Sequence, residues 1–228
     1  NVGWIIPQSF IDDLDNNVPE AIRRYQKVLK VKMITGKGYF FFIDKANALR
    51  PIDYIDNDLD IKASNLCSEI SLHSSKEYTY TCVLSSMNLA KYDEWRNTDA
   101  AYWATIFLDC VVSEFLYLAE KIPGLEKAVA FTEKGRALGL GVCGLHTLFQ
   151  KRGRPFESLD AQFFNNGVFN MLAQESNRAS YDIAEQLGIP EWCQSSGRRN
   201  THTMAIAPTK STALIMGGVS EGINPDQG

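Results

Sequence analysis

The chain has 228 residues, of which 45% are hydrophobic, 11% aromatic and 22% charged, a balance that excludes a disordered tail, a collagen, a low-complexity linker and a coiled coil. Its 23 Lys and Arg against 27 Asp and Glu leave a formal charge of -4, which argues against binding a nucleic-acid polymer, so any related substrate has to be small. No stretch approaches about 18 apolar residues without a charge, and no basic patch precedes an apolar run, so the expectation is a cytoplasmic protein with no membrane partner. A chain of this length can bury roughly 70% of its unfolded surface, enough for one large domain or two small ones. Asn1-Val2-Gly3-Trp4 and Asn224-Pro225-Asp226-Gln227-Gly228 read as neither a natural start nor a closing cap.

Apolar residues at helical spacing (Ile22, Tyr25, Val28, Leu29, Met33) predict a helix from Pro19 to Gly36. The aromatic run Tyr39-Phe40-Phe41-Phe42-Ile43 predicts a strand covered on both faces. The segments Ile61 to Leu72 and Tyr78 to Leu84 both read as strands, with Tyr80, Cys82 and Leu84 on one face, and suit neighbours in one sheet.

Thr98 can cap a long helix whose apolar stripe is Trp103, Ile106, Phe107, Cys110, Val111, Phe115 and Leu118, ended by Ile122-Pro123-Gly124. The Gly-rich run from Gly139 to Gln150 reads as a closely packed helix, and another helix runs from about Leu159 to Gln186. Thr203 to Ala207 predicts a strand leading into Pro208-Thr209-Lys210-Ser211-Thr212. Helices alternating with short buried strands make this an α/β chain.

Five cysteines, Cys67, Cys82, Cys110, Cys143 and Cys193, form no C-x-x-C pair and sit with no histidine at zinc spacing, so a metal site and a disulfide framework are not expected. Cys110, Cys143 and Cys193 read as packing residues, and His73, His146 and His202 receive no role. In Asn65-Leu66-Cys67-Ser68-Glu69-Ile70 an amide, a thiol and a carboxylate alternate. On a strand they share one face, which either looks into a cavity or simply meets water. A straight strand would hold Asn65 and Glu69 roughly 13 Å apart, so the strand must curve for all three to meet one substrate. Cys82 stays open between a small hydrophobe and a working thiol. The Ala207–Ala213 loop suits phosphate if a helix starts within it, or is an ordinary Ser/Thr cap with a solvated lysine, and it lacks the glycines of a Walker loop.

Three motifs in order carry a resemblance: Ser64 to Ile70, Thr81-Cys82-Val83-Leu84-Ser85-Ser86-Met87-Asn88-Leu89, and Pro208 to Thr212. Together they strongly resemble the catalytic large subunit of ribonucleotide reductase. Gly139-Leu140-Gly141-Val142 followed by a helix, and Ser220-Glu221-Gly222-Ile223-Asn224-Pro225, look like segments of the same family. The match runs from about residue 38 and implies part of a ten-stranded α/β barrel over residues 1–228. Its radical-site strand and loop lie near 61–90, a helical middle at 98–187 and a phosphate loop near 208–213.

The resemblance implies that Cys67 becomes a thiyl radical and abstracts the ribose 3′ hydrogen, that Glu69 is the base on the 3′ hydroxyl and that Asn65 hydrogen-bonds the ribose. Cys82 would be one of two reducing thiols, its partner lying upstream in the family, where no cysteine precedes Cys67 in this sequence. Thr209, Lys210, Ser211 and Thr212 would hold substrate phosphates, Lys210 standing where the family often has an acidic or small residue. The implied substrate is a ribonucleoside diphosphate. The implied partners are the remainder of the large subunit in a homodimer, a metal-containing small subunit that supplies the radical, and thioredoxin or glutaredoxin as the dithiol reductant. No cofactor is expected in the chain itself. The effector regions, the radical-relaying tyrosine pair and the cysteine-bearing tail of the family have no counterpart here, so the expectation is an incomplete enzyme, inactive alone. The competing readings are an inactive phosphate-binding module and a non-radical thiol enzyme. No histidine is placed to activate Cys67 for the latter.

Overall fold

The computed structural model describes residues 3–226, which form two compact units divided between Ser75 and Lys76. In the first unit, strand β1 (Gly3–Ile6) pairs in parallel with β2 (Tyr39–Phe42), Gly3 opposite Tyr39 and Ile6 opposite Phe42. A parallel pair needs a crossover, supplied by helices α1 (Gln8–Asp15) and α2 (Pro19–Thr35). The predicted helix therefore forms, with Pro19 in its first turn and Gly36 at φ 62 as its left-handed cap.

The aromatic strand is shorter and more open than expected. Ile43 already belongs to helix α3 (Ile43–Ala48), Phe42 is exposed, and Tyr39, Phe40 and Phe41 are half-buried. Helix α4 (Ile52–Asp56) follows.

Ile61 to Leu72 is not a strand. It is a looped segment closed by a single antiparallel bridge between Ile61 and His73. Ile61, Ile70 and Leu72 of this segment are buried, as are Tyr54 and Leu59 before it, and the Tyr54 hydroxyl accepts from the His73 amide at 3.2 Å. Ser64 and Asn65 satisfy main-chain groups locally, which is how such residues compete with a ladder.

In the second unit the predicted strand ending at Leu84 is displaced, because β3 runs Leu84–Asn88 and residues 78–83 lie outside any strand. β3 pairs in parallel with β4 (Gly139–Cys143), Leu84 opposite Gly139. The 202–205 segment extends this sheet, since Leu138 donates to His202 (2.8 Å), Leu140 to Thr203 (3.0 Å) and Ala205 to Leu140 (3.3 Å), with Met204 bridging Leu140 in parallel. The first half of the Gly-rich run is thus a strand, and only Leu145–Lys151 is helical. A short, continuously buried apolar run carries no period to distinguish the two states. Its glycines serve close approach, for a Cβ on Gly141 would stand 2.3 Å from the Ala205 carbonyl oxygen and one on Gly139 2.3 Å from Leu84 Cδ2.

Around this sheet lie α5 (Tyr92–Trp95), α6 (Ala100–Ala119), α7 (Glu126–Gly135), α8 (Leu145–Lys151), α9 (Leu159–Leu187) and α10 (Lys210–Ile215). Leu89, Leu108, Val112, Leu140, Val142, Phe149, Val168 and Leu172 form the core between sheet and helices. At roughly 1.5–3 kcal/mol for each large apolar side chain buried, this layer dominates the unit's stability.

The expected stripe on α6 faces the wrong way. Trp103, Phe107, Cys110 and Leu118 are exposed, whereas Ala101, Thr105, Leu108, Asp109, Val112 and Ala119 are buried. The helix is apolar on most sides, and a polar contact chooses the buried face. Arg136 donates from Nε and Nη2 to the two Asp109 carboxylate oxygens, both at 2.8 Å, with both side chains almost fully buried. Asn200 Nδ2 donates to Asp109 (2.9 Å) and to the Arg136 carbonyl (2.8 Å), tying α6 and the end of α7 to the segment that enters the sheet at 202–205. By length and composition α6 could cross a membrane, but its mid-helix carboxylate belongs to this ion pair within the fold.

Candidate active site

Asn65 and Cys67 lie in one tight turn, and Glu69 is on the stretch of chain that returns across its base. The Ser68 amide donates to the Asn65 carbonyl at 3.2 Å, closing a β-turn with Leu66 and Cys67 at its centre. Asn65 and Ile70 then exchange bonds across its base. The Asn65 amide donates to the Ile70 carbonyl (3.2 Å), and Asn65 Oδ1 accepts from the Ile70 amide (3.1 Å). Ser68 takes φ 71, a left-handed value that non-glycine residues rarely adopt. This turn replaces the alternating strand face and removes the extended separation of Asn65 and Glu69 that a strand imposes.

Cys67 is exposed at the tip of the turn, where a sulfur can meet a substrate. Glu69 is half-buried, and its Oε2 is shielded from water with no hydrogen-bond partner among the described residues. A buried carboxylate oxygen left in that state is costly and calls for an explanation, for which a substrate hydroxyl is a chemically apt donor. The carbonyl end of the Asn65 amide braces the turn, and its side-chain NH₂ has no acceptor among the described residues.

Thr209, Lys210, Ser211 and Thr212 share one loop, which follows the 202–205 segment at the carboxyl end of the parallel set. Thr209 holds φ 58, strained backbone for a β-branched residue. Its carbonyl accepts from the Ala213 amide at 2.7 Å, and its Oγ1 accepts from the Gly222 amide at 2.9 Å, leaving the hydroxyl proton to donate elsewhere. Lys210, Ser211 and Thr212 are exposed in the first turn of α10. A second set of bonds fixes the return of the chain. Ser220 and Thr147 exchange amide-to-hydroxyl bonds of 2.8 and 3.1 Å, and the Gly144 amide donates to the Ser220 carbonyl at 2.7 Å. Asn88 Nδ2 donates to the Met216 carbonyl at 3.2 Å, anchoring the far end of α10 to β3.

Cys82 is exposed two residues before β3, at the amino end of the parallel set. All five cysteines are thiols. Cys143 and Cys193 are buried as expected, but Cys143 lies on β4 rather than on a helix, and burial pushes its thiol pKa up. Cys110 is exposed, contrary to the packing role read from its stripe. His202 is pushed down to about 4 by burial, with the Arg198 charge adding to it, so its imidazole is neutral at physiological pH.

Sequence reasoning missed the frame around the turn: Tyr39, whose hydroxyl reaches the Asn65 and Ser64 carbonyls, and Asn47, which grips Ile61. It also missed the Arg136–Asp109–Asn200 cluster. An acidic residue inside an apolar helix was the available signal for that cluster. The two cavities of about 440 Å³, one lined by Trp4, Phe10, Arg24 and Val28, the other by Phe149, Phe156, Asn165 and Ile223, hold none of the predicted site residues.

A thiol-tipped turn in one unit and, in the other, a hydroxyl-rich loop after a segment bridged to a parallel pair describe a class of fold, and comparison with known proteins narrows it. The sequence model of the family described as "Ribonucleotide reductase, barrel domain" matches residues 13–196. The "Ribonucleoside-diphosphate reductase large subunit" of Invertebrate iridescent virus 3 is 32% identical over 219 residues, covering 94% of this chain and 34% of that protein. The "Vitamin B12-dependent ribonucleoside-diphosphate reductase" of Thermoplasma acidophilum is 30% identical over 254 aligned positions, covering 99% of this chain and 31% of that protein. Among solved structures, the "Actinobacillus ureae class Id ribonucleotide reductase alpha subunit" superposes with a TM-score of 0.95 and 41% identity, over 98% of this chain and 43% of that one. The chain therefore belongs to the ribonucleotide reductase family and holds part of its α/β barrel. It spans about a third of the length of these curated relatives, 34% and 31%.

Proposed function

We propose that this chain carries the radical site of a ribonucleoside-diphosphate reductase, making 2′-deoxyribonucleoside diphosphates for DNA precursor synthesis. What supports the reading is the Asn65–Ile70 loop, with the Cys67 sulfur exposed on its turn and a Glu69 oxygen buried without a partner among the described residues. One electron and one proton leave Cys67 to an external radical source. The resulting sulfur radical takes the 3′ hydrogen, forming S–H as C3′–H breaks. Glu69 accepts the 3′ hydroxyl proton, and the Asn65 amide donates to the ribose and steadies the ketyl-type intermediate as the 2′ oxygen leaves as water. A thiol pair including Cys82 supplies two electrons and two protons, one of them to the departing water, and ends as a disulfide; Glu69 returns its proton, the Cys67 S–H returns hydrogen to C3′, and the sulfur radical that remains regains its electron and proton from the radical source. The sum is ribonucleotide plus dithiol giving deoxyribonucleotide, disulfide and water.

Thr209 to Thr212 hold the substrate phosphates. The first amides of α10 have no intrahelical acceptor, the Thr209 hydroxyl has its proton to give, and Lys210 adds a cation. The radical source we infer is a metal-containing small subunit, and the reductant a thioredoxin or glutaredoxin. A homodimer of the complete large subunit in the cytoplasm completes the reading.

Substitution tests it in the chain completed by the remaining large-subunit segments and supplied with a radical source. Cys67→Ser abolishes turnover while substrate binding stays nearly intact. Cys82→Ser lets radical chemistry begin and then stall, releasing free base. Full turnover by Cys67→Ser, or normal turnover of Cys82→Ser with a dithiol reductant, would overturn the corresponding assignment.

A further inference from the structure

We infer that Tyr39 is a positioning residue for the Cys67 turn, its hydroxyl fixing the main chain on which the reacting sulfur stands. What the positioning serves rests on the function proposed for Cys67; the contact itself does not. Tyr39 is the first residue of β2, and its hydroxyl donates toward the Asn65 carbonyl at 3.1 Å, with the Ser64 carbonyl at 3.3 Å. The Asn65 carbonyl is the hub of the turn, since it also accepts from the Ser68 amide (3.2 Å) and from Ser64 Oγ (3.1 Å). Of these three donors, two belong to the turn itself and move with it. Tyr39 belongs to a paired strand and ties the hub to regular structure.

The fold makes room for this contact. Gly3 is the register partner of Tyr39, and a Cβ at that position would stand 2.6 to 2.7 Å from the Tyr39 ring and hydroxyl. The ring lies over β1 because nothing but glycine is beneath it. A second tie holds the entry to the turn: Asn47 on α3 donates to the Ile61 carbonyl at 3.0 Å and accepts from the Ile61 amide at 2.8 Å. Residues of one continuous stretch, β2 and α3, thus grip the 61–65 segment at both ends. Hydrogen transfer to a sulfur tolerates little misplacement, and about 1 Å is enough to slow a positioned reaction by a hundredfold. A phenylalanine at position 39 would fill the same space, so the hydroxyl is separable from packing.

The test is Tyr39→Phe. In the chain itself, amide hydrogen exchange at Ser68 and Ile70 should quicken by about three- to tenfold, the range one net hydrogen bond supplies, while amides within β2 keep their rates. Alkylation of Cys67 should change with it, and that of Cys82 should not. In the completed reductase, kcat should fall about tenfold or more with KM within about twofold, because the hydroxyl braces the turn without touching substrate. Unchanged exchange at Ser68 and Ile70, or a rise in KM with kcat intact, would overturn the inference. The two readings fail separately: exchange that ignores Tyr39→Phe while Cys67→Ser kills turnover removes the positioning alone. A Cys67→Ser protein that still turns over removes the radical role and leaves the exchange result standing.

Discussion

The Cys67 turn and the Thr209 loop each force a non-glycine residue into left-handed backbone, Ser68 at φ 71 and Thr209 at φ 58, yet they are held by different means. In the turn, main-chain oxygens are the anchored points, gripped by Tyr39 from β2, while the thiol of Cys67 stays exposed. In the loop, the side chain of Thr209 is the anchor, accepting from Gly222, while the first amides of α10 have no intrahelical acceptor. The difference follows from what each is proposed to present. A site that works through one sulfur needs its backbone fixed and its side chain clear. A site that works through backbone amides can commit a side-chain lone pair to its own bracing.

Two substitutions probe that contrast in the loop's support, the larger first. Asp109→Ala leaves the Arg136 guanidinium buried without its carboxylate, which should cost about 3–5 kcal/mol of stability, read as a lowered denaturation midpoint of the purified chain. A midpoint within about 1 kcal/mol of the parent would mean that the 200–206 segment, and the loop after it, are not secured by this cluster. Thr209→Val keeps the shape but removes the acceptor for the Gly222 amide and the donor proposed for phosphate. In the completed enzyme KM should rise about fivefold, close to 1 kcal/mol, with kcat held. A loss in kcat at unchanged KM would show the loop to be shaping the reaction step instead.

The sequence made much of the fold legible where local chemistry decides alone. The Pro19 start and the left-handed Gly36 cap bound α2 within a residue of the expected range, and α9 runs Leu159–Leu187 where Leu159 to Gln186 was expected. It misled where two states share a pattern. Asn65, Cys67 and Glu69 alternate as on a strand, but the Ser68 amide donating to the Asn65 carbonyl closes a turn, braced by Asn65 Oδ1 accepting from the Ile70 amide, that no period-2 count contains. Gly139 to Cys143 is apolar and glycine-rich, which suits a packed helix or a buried strand, and the Ala205 carbonyl lying against Gly141 decides for the strand. The stripe on α6 was turned outward because the ion pair of Asp109 with Arg136, from 27 residues downstream, selects the buried face. The Cys67 motif itself was legible through its resemblance to known reductases. Its frame of Gly3, Tyr39 and Asn47 was not, since no local pattern joins a glycine, a strand tyrosine and a helix asparagine to a turn more than a dozen residues away.

Hydrogen abstraction from the ribose by the proposed Cys67 radical is open to isotope substitution. With a 3′-deuterated ribonucleoside diphosphate in the completed, radical-supplied protein, turnover under conditions where the chemical step limits the rate should slow relative to the 3′-protiated substrate. Both reactions should vanish in Cys67→Ser. Equal rates for the two isotopologues under those conditions, or turnover that persists in Cys67→Ser, would contradict the account.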